Sequence, residues 1–234
     1  MPGATVGGTA SSAGGSTLAR VHYIADHRGG MGLAQVSRLV AAVLAAGVAC
    51  VQVRSKDCTD RERYQVAAEV VALCRAARAA CIVNDRVDVA LAVGADGAHV
   101  GLSDLPVAAA RRLLGPGAIL GASAYSLAEA AAAVEAGAGY VGVGPCYLTA
   151  TKAGLPAPVG PDGLAAVARG VGVPVVAIGG VTPGRVPELI AAGAYGIAVI
   201  SAISGAADPG AATREFVAQV ALAVASTTST RAPR

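Results

Sequence analysis

Tryptophan is absent, phenylalanine occurs once, and aromatic residues make up only 3% of the 234-residue chain. The stacking platforms and interleaved basic clusters that grip nucleic acid are therefore lacking, and a formal charge of +3 supplies no broad basic field. Cysteine is sparse and scattered: Cys50, Cys58, Cys74, Cys81 and Cys146 form no C-x-x-C pair and no Cys/His ligand spacing. That pattern argues against a structural zinc module and reads as reduced thiols in a cytoplasmic protein. The most apolar stretch, residues 39–53, is broken by Gly47 and Gln52 and falls short of the about 18 apolar residues a membrane span needs. The opening segment, MPGATVGGTASSAGGST, has neither a basic start nor a continuous apolar core, so it reads as a flexible tail rather than a secretory signal. Histidine is limited to His22, His27 and His99, and none stands at a clear strand end beside a nucleophile, which speaks against a Ser-His-Asp enzyme. His99 alternates with apolar neighbours and reads as a satisfied core histidine. No dinucleotide fingerprint follows a strand.

What the chain does have is aliphatic bulk and turns: 54% hydrophobic residues, mostly Ala, Val, Leu and Ile, with 31 glycines. That composition suits repeated strand and helix in one large core. Strands are expected over 20–25, 50–54, 81–83, 97–100, 118–122, 140–143, 173–178 and 196–200. Between them, helices are expected over 31–46, 60–78, 86–93, 106–114, 161–169, 183–192 and 211–225, with one more opening at Ser126. Thr59 followed by Glu62 forms a capping box that fixes the start of the second helix. Eight strand-helix steps with short connections predict an α/β fold, a single (β/α)8 TIM barrel, rather than an open sheet. The domain plan is a tail over 1–18, the barrel over 19–226 and a second flexible tail over 227–234.

In such a barrel the carboxyl ends of the strands build the site. Asp85 and Asp104 stand 19 positions apart, each just past a strand, so a β-α-β step brings both to one rim. Either alone could cap a helix. Together they suit Mg²⁺, which takes one or two carboxylates and fills its shell with water and phosphate oxygens. The second strand reads VQVRSK, and its period of two puts Gln52, Arg54 and Lys56 on one face. That is a polar interior leading to two cations suited to pyrophosphate, although a frayed strand end would also explain Lys56. After the sixth strand, GPCYLTATK offers Thr149, Thr151 and Lys152 as phosphate ligands or as a solvated loop. IGGVTPG, with Gly180, and the eighth strand's end at Ile200 and Ser201 fall where barrels bind a phosphate, and GASAYS presents Ser123. Two anion sites and one divalent metal could join a pyrophosphate to a monophosphate.

The segments VQVRSKD, IVNDRVDVALAVGADGAHVGLSDLP, GVGPCYLTATK, VPVVAIGGVTP and AVISAI, in this order, resemble the thiamine-phosphate synthase family. The resemblance runs from about Val21 to Pro209. It implies a transferase that couples hydroxymethylpyrimidine pyrophosphate to hydroxyethylthiazole phosphate by Mg²⁺-assisted dissociative substitution. By the same resemblance, Asp85 and Asp104 hold Mg²⁺, and Arg54, Lys56, Asn84 and Lys152 surround the pyrophosphate. Gln52 and Ser123 contact the pyrimidine, while Thr149, Thr151, Gly180, Ile200 and Ser201 hold the thiazole phosphate. Ser123, Lys152 and Arg54 are the catalytic candidates. The partners implied are these small-molecule substrates, with no nucleic acid and no membrane, and a homo-oligomer is compatible with the sequence. The chain departs from the family where members read G-x-S-T-H and it carries Gly121, Ala122, Ser123, Ala124 and Tyr125. It departs again at Leu102, where members often carry Gln. Two alternatives share the resemblance: a thiazole tautomerase-like isomerase, whose catalytic histidine would fall near Tyr125, and a non-catalytic thiamine or thiazole phosphate binder.

Overall fold

The computed structural model describes residues 18–28, 32–149, 151 and 154–230. The expected tail over 1–18 therefore lies almost wholly outside the described residues, as do positions 231–234. Eight parallel strands pair in chain order and the eighth pairs back onto the first, closing a barrel. They are β1 (Val21–Arg28), β2 (Cys50–Lys56), β3 (Ala80–Asn84), β4 (Gly97–Val100), β5 (Ile119–Ala124), β6 (Tyr140–Val143), β7 (Val175–Ile178) and β8 (Gly196–Val199). Around them lie α1 (Leu33–Ala45), α2 (Asp60–Ala76), α3 (Val87–Val93), α4 (Val107–Leu114), α5 (Leu127–Glu135), α6 (Gly160–Gly170), α7 (Val186–Ala191), α8 (Ser201–Ser204) and α9 (Pro209–Thr230). This is the (β/α)8 barrel that the strand-helix alternation predicts.

Helix starts follow local chemistry. Thr59 accepts from the Glu62 amide while the Glu62 carboxylate accepts from the Thr59 amide, and Ser126 accepts from Glu129 at the start of α5. Such caps are each worth about 1 kcal/mol. The helix expected over 183–192 instead splits into a 3-10 turn, Pro183–Arg185, and α7. Pro187 has no N–H for the Pro183 carbonyl, so an α-helix can begin only where this proline falls in its first turn. At the carboxyl terminus α9 runs on through Thr230, past the boundary expected at Ser226. The hydroxyls of Ser226 and Thr227 bond back to the carbonyls of Leu222 and Ala223, at 3.0 and 3.3 Å, so these polar residues are satisfied inside a helix.

Alternation along the strands separates two cores. Outward residues such as Tyr23, Val51, Val53, Val141 and Ile197 pack with Val40, Val70, Leu164, Leu189 and Phe216 of the helices. The inward apolar set is smaller: Ile24, Cys50, Ile82, Tyr140, Val176 and Ala198. Most burial energy, at about 1.5–3 kcal/mol per large aliphatic side chain, thus resides outside the barrel. Its interior can then carry His22, Gln52 and His99, all buried.

Candidate functional site

Inside the barrel, two glycines make room for two rings. A Cβ on Gly121 would lie 2.1 Å from Tyr140 Cζ, and one on Gly142 would lie 3.1 Å from His99 Cε1. In the space so kept, His99 Nδ1 lies 3.0 Å from the Tyr140 hydroxyl and His99 Nε2 lies 2.9 Å from Ser123 Oγ. Gln52 lines the same space beside Tyr140. Burial pushes the Tyr140 phenol well above its ordinary value, so it keeps its proton. The result is a continuous chain, Tyr140, His99, Ser123, across the barrel. Below it, burial lowers His22 to about 4, and the neutral ring donates from Nε2 to the Ala19 carbonyl at 2.9 Å. The expectation of a satisfied His99 holds, yet the ring also lines the cavity.

That cavity opens at the carboxyl ends of the strands. Gln52, Arg54, Asn84, His99, Ser123, Tyr125 and Tyr140 bound it on one side, and Thr149, Thr151, Gly180, Ile200 and Ser201 bound it on the other. Residues from six separate segments of the chain therefore meet in one space. Lys152 lies outside the described residues.

Lys56, Asp85 and Asp104 are not part of the cavity wall but cluster together next to it. Asp85 follows the wall residue Asn84 and sits at a left-handed φ of 65°, uncommon for a side-chain-bearing residue. Its amide donates to the His99 carbonyl at 2.7 Å, so β4 fixes its place. Lys56 Nζ donates to Asp85 Oδ2 at 2.6 Å, and Asp104 accepts from the Gly101 amide at 2.7 Å. The two carboxyl groups also lie close enough to perturb each other. Burial works to raise Asp85, but the bonds from Asp104 and Lys56, with the nearby charges, leave it below the usual carboxylate range. Asp104 moves the other way, raised by burial and by its bond to Asp85, so it keeps its proton longer. Two hard carboxylates pressed together in this way fit a divalent cation. Among the described residues no three His, Cys, Asp or Glu side chains converge as a metal set, so most ligands of such a cation must come from water or substrate.

The sequence reading missed Asp26. It ended the first strand at residue 25, whereas β1 continues to Arg28 and puts Asp26 in register with Arg54. The Asp26 carboxylate is ion-paired with Arg54 and, at 3.0 Å, with Arg28. Its signal was available, since the inward alternation of His22 and Ile24 continues to Asp26.

Across the cavity the hydroxyls gather. Thr149 and Thr151 lie 3.2 Å apart, and Thr151 lies 3.1 Å from Ser201. Beside them the chain turns through Gly179 and Gly180, at φ of 91° and 65°. Side chains are excluded at Gly180, where a Cβ would come within 2.6 Å of the Leu148 carbonyl.

Residues 21–203 match the family model for thiamine monophosphate synthase (TMP-TENI). A thiamine-phosphate synthase of Salinispora arenicola (strain CNS-205) is 55% identical over 203 residues, covering 86% of this chain and 97% of that protein. Another, of Chloroflexus aurantiacus (strain ATCC 29366 / DSM 635 / J-10-fl), is 48% identical over 184 residues, 79% of this chain and 85% of its own. Among solved structures, thiamine phosphate pyrophosphorylase from Pyrococcus furiosus superposes with a TM-score of 0.77 at 36% identity, covering 88% of this chain and 96% of its own.

Proposed function

The chain belongs to the thiamine monophosphate synthase family and is an enzyme of thiamine phosphate synthesis, and from that premise we propose that it couples hydroxymethylpyrimidine pyrophosphate to hydroxyethylthiazole phosphate with release of pyrophosphate. The observation that carries this reading is the two-ended cavity. Arg54 and Asn84 line one end, with the cluster of Lys56, Asp85 and Asp104 next to it; hydroxyls and a glycine turn line the other, and a polar barrel floor lies between.

Arg54, Lys56, Asn84 and Lys152 receive the pyrophosphate, and Asp85 and Asp104 would hold Mg²⁺. When bound, Mg²⁺ neutralises charge on the leaving pyrophosphate as a Lewis acid. Gln52 and Ser123 orient the pyrimidine, and the bond from His99 to Ser123 fixes where that hydroxyl points. Thr149, Thr151, Gly180, Ile200 and Ser201 take the thiazole phosphate.

The carbon-oxygen bond at the pyrimidine methylene breaks first, and its electron pair leaves with the pyrophosphate. The thiazole ring nitrogen then gives its lone pair to the carbocation. No proton leaves that nitrogen, so the site needs no general base. What it does need is charge compensation at the leaving group, from Arg54, Lys56 and Lys152, and exclusion of competing water. In the structure Arg54 and Lys56 rest on Asp26 and Asp85. A pyrophosphate competes with these carboxylates for both cations.

The tautomerase alternative calls for a catalytic histidine near position 125 and makes the carboxylate pair superfluous. Tyr125 in the wall and the paired Asp85 and Asp104 support the transferase instead. A cytoplasmic location accords with five free cysteines, and among the described residues no helix is long and apolar enough to cross a membrane. Asp85→Asn and Asp104→Asn test the metal assignment. Each is expected to cut Mg²⁺-dependent turnover by about 10²-fold or more while circular dichroism is unchanged. Full turnover in both variants would overturn it, and tight product binding without turnover in the parent would favour the non-catalytic binder.

A further inference from the structure

One exposed arginine ties together the two loops that carry the hydroxyl end of the cavity. Arg185 Nη1 donates to the Gly180 carbonyl at 2.6 Å, and its guanidinium lies 4.1 Å from the centre of the Tyr147 ring. Tyr147 is anchored in turn. Its hydroxyl donates to Glu188 at 2.7 Å, and its amide donates to the Gly179 carbonyl at 3.0 Å. Burial, with Glu188 next in effect, pushes the Tyr147 phenol up to about 12, so it remains the donor in this bond at neutral pH. The loop carrying Thr149 and Thr151 and the loop carrying Gly180 thus meet at a single side chain. Contact between them is already close, since a Cβ on Gly180 would come within 2.8 Å of Tyr147 Cβ.

The held carbonyl has a consequence for the peptide that owns it. In a trans peptide, C=O and N–H point in opposite directions. Fixing the Gly180 carbonyl at Arg185 therefore turns the Val181 N–H to the other side. Both Gly180 and Val181 line the cavity. Arg185 itself lines the adjoining cleft, together with Thr149, Thr151 and Ser201.

We propose that Arg185 is a positioning residue that sets the affinity for the phosphate monoester substrate, by locking the Gly180 peptide against the loop of Thr149 and Thr151. The proposal rests on the reading above that Gly180, Thr151 and Ser201 hold that phosphate. It gives the Arg185–Tyr147 stack a role in one substrate's binding and none in the other's.

Steady-state kinetics with each substrate varied in turn tests it, on Arg185→Ala, Arg185→Lys, Tyr147→Leu and Ser201→Ala. Arg185→Ala is expected to raise KM for the thiazole phosphate about tenfold, the scale of one lost charge-assisted hydrogen bond, with kcat and KM for the pyrimidine pyrophosphate within about twofold. Arg185→Lys recovers part of the loss, because an ammonium still donates to Gly180 and sits on the ring. Tyr147→Leu, which removes no donor to the phosphate, raises the same KM by a smaller factor. If Ser201→Ala raises that KM and Arg185→Ala does not, the role of Arg185 is overturned and the phosphate assignment stands. Equal increases in both KM values would mark a general structural loss and also overturn it. If neither variant moves the thiazole phosphate KM, the phosphate assignment fails and the proposal falls with it.

Discussion

Replacing Gly121 by Ala adds a single methyl group to the barrel interior, and the structure says where it goes. The new Cβ would lie 2.1 Å from Tyr140 Cζ, 2.3 Å from Cε1 and 2.5 Å from the hydroxyl oxygen. Carbon atoms in contact normally stand about 3.5–4.0 Å apart, so the ring must retreat by about 1.5 Å. Tyr140 is only 2% exposed and is flanked by the rings of His22 and His99, each with its centroid 5.5 Å away. Retreat therefore breaks the 3.0 Å bond to His99 and loosens the 2.9 Å bond from His99 to Ser123. Overpacking costs about 1–3 kcal/mol and stranded buried polar groups about 1–3 more, giving roughly 2–6 kcal/mol against a typical total of about 5–15. Urea unfolding followed by circular dichroism measures the loss. Kinetics on the folded fraction should show a raised KM for the pyrimidine substrate, because Ser123 is no longer held. Adding Tyr140→Leu, which removes the ring that clashes, should recover part of the stability but none of the KM. A Gly121→Ala protein within about 0.5 kcal/mol of the parent, with unchanged KM, would refute the packing argument.

Asp104 is raised in the folded chain, so the folded state binds this proton more tightly than the unfolded state, and stability falls as pH rises through the folded value. Asp104→Asn should therefore raise Tm at pH 7 in chelator while turnover falls, and a lowered Tm would contradict the account in which burial and the Asp85 contact raise this carboxyl. His22 has the opposite sign: lowered to about 4 from 6.5, it stabilises fully above pH 6.5, and on the order of 3 kcal/mol is lost as pH falls through 4. His22→Gln should flatten urea-measured stability across that window, and an unchanged slope would show that another group titrates there. Lys152→Ala should raise KM for the pyrimidine pyrophosphate about tenfold or more and leave that for the thiazole phosphate unchanged, the direction expected of a cation that meets only the leaving group.

Much of this barrel was legible because its signals are local. The period of two in VQVRSK puts Gln52 and Arg54 inward, the Thr59 and Glu62 capping box sets the start of α2, and Asp85 and Asp104 follow strands where a parallel sheet must bring them to one rim. Illegible from sequence was whatever depends on partners far along the chain. The alternation of His22 and Ile24 reaches Asp26, but its ion pair with Arg54 exists only because β1 runs three residues further and meets β2. The role of His99 was hidden for the same reason. An isolated histidine among apolar neighbours looks satisfied, and only the closed barrel brings Tyr140 and Ser123 to its two nitrogens. Arg185 gave no signal in the sequence, because its stack on Tyr147 joins the segments after β6 and β7 that are separate along the chain. Chain ends misled in a simpler way, since Ser226 and Thr227 are polar yet satisfied by the helix that contains them.

The central claim is that one cavity joins a pyrophosphate-bearing pyrimidine to a thiazole monophosphate. Its most direct test is to incubate the purified 234-residue chain with Mg²⁺ and both substrates, measuring pyrophosphate and thiamine phosphate together. The account predicts that the two products appear in equal amounts, and that Asp85→Asn cuts the formation of both by about 10²-fold or more. Thiamine phosphate without stoichiometric pyrophosphate, or no coupling at all with authentic substrates, would contradict it.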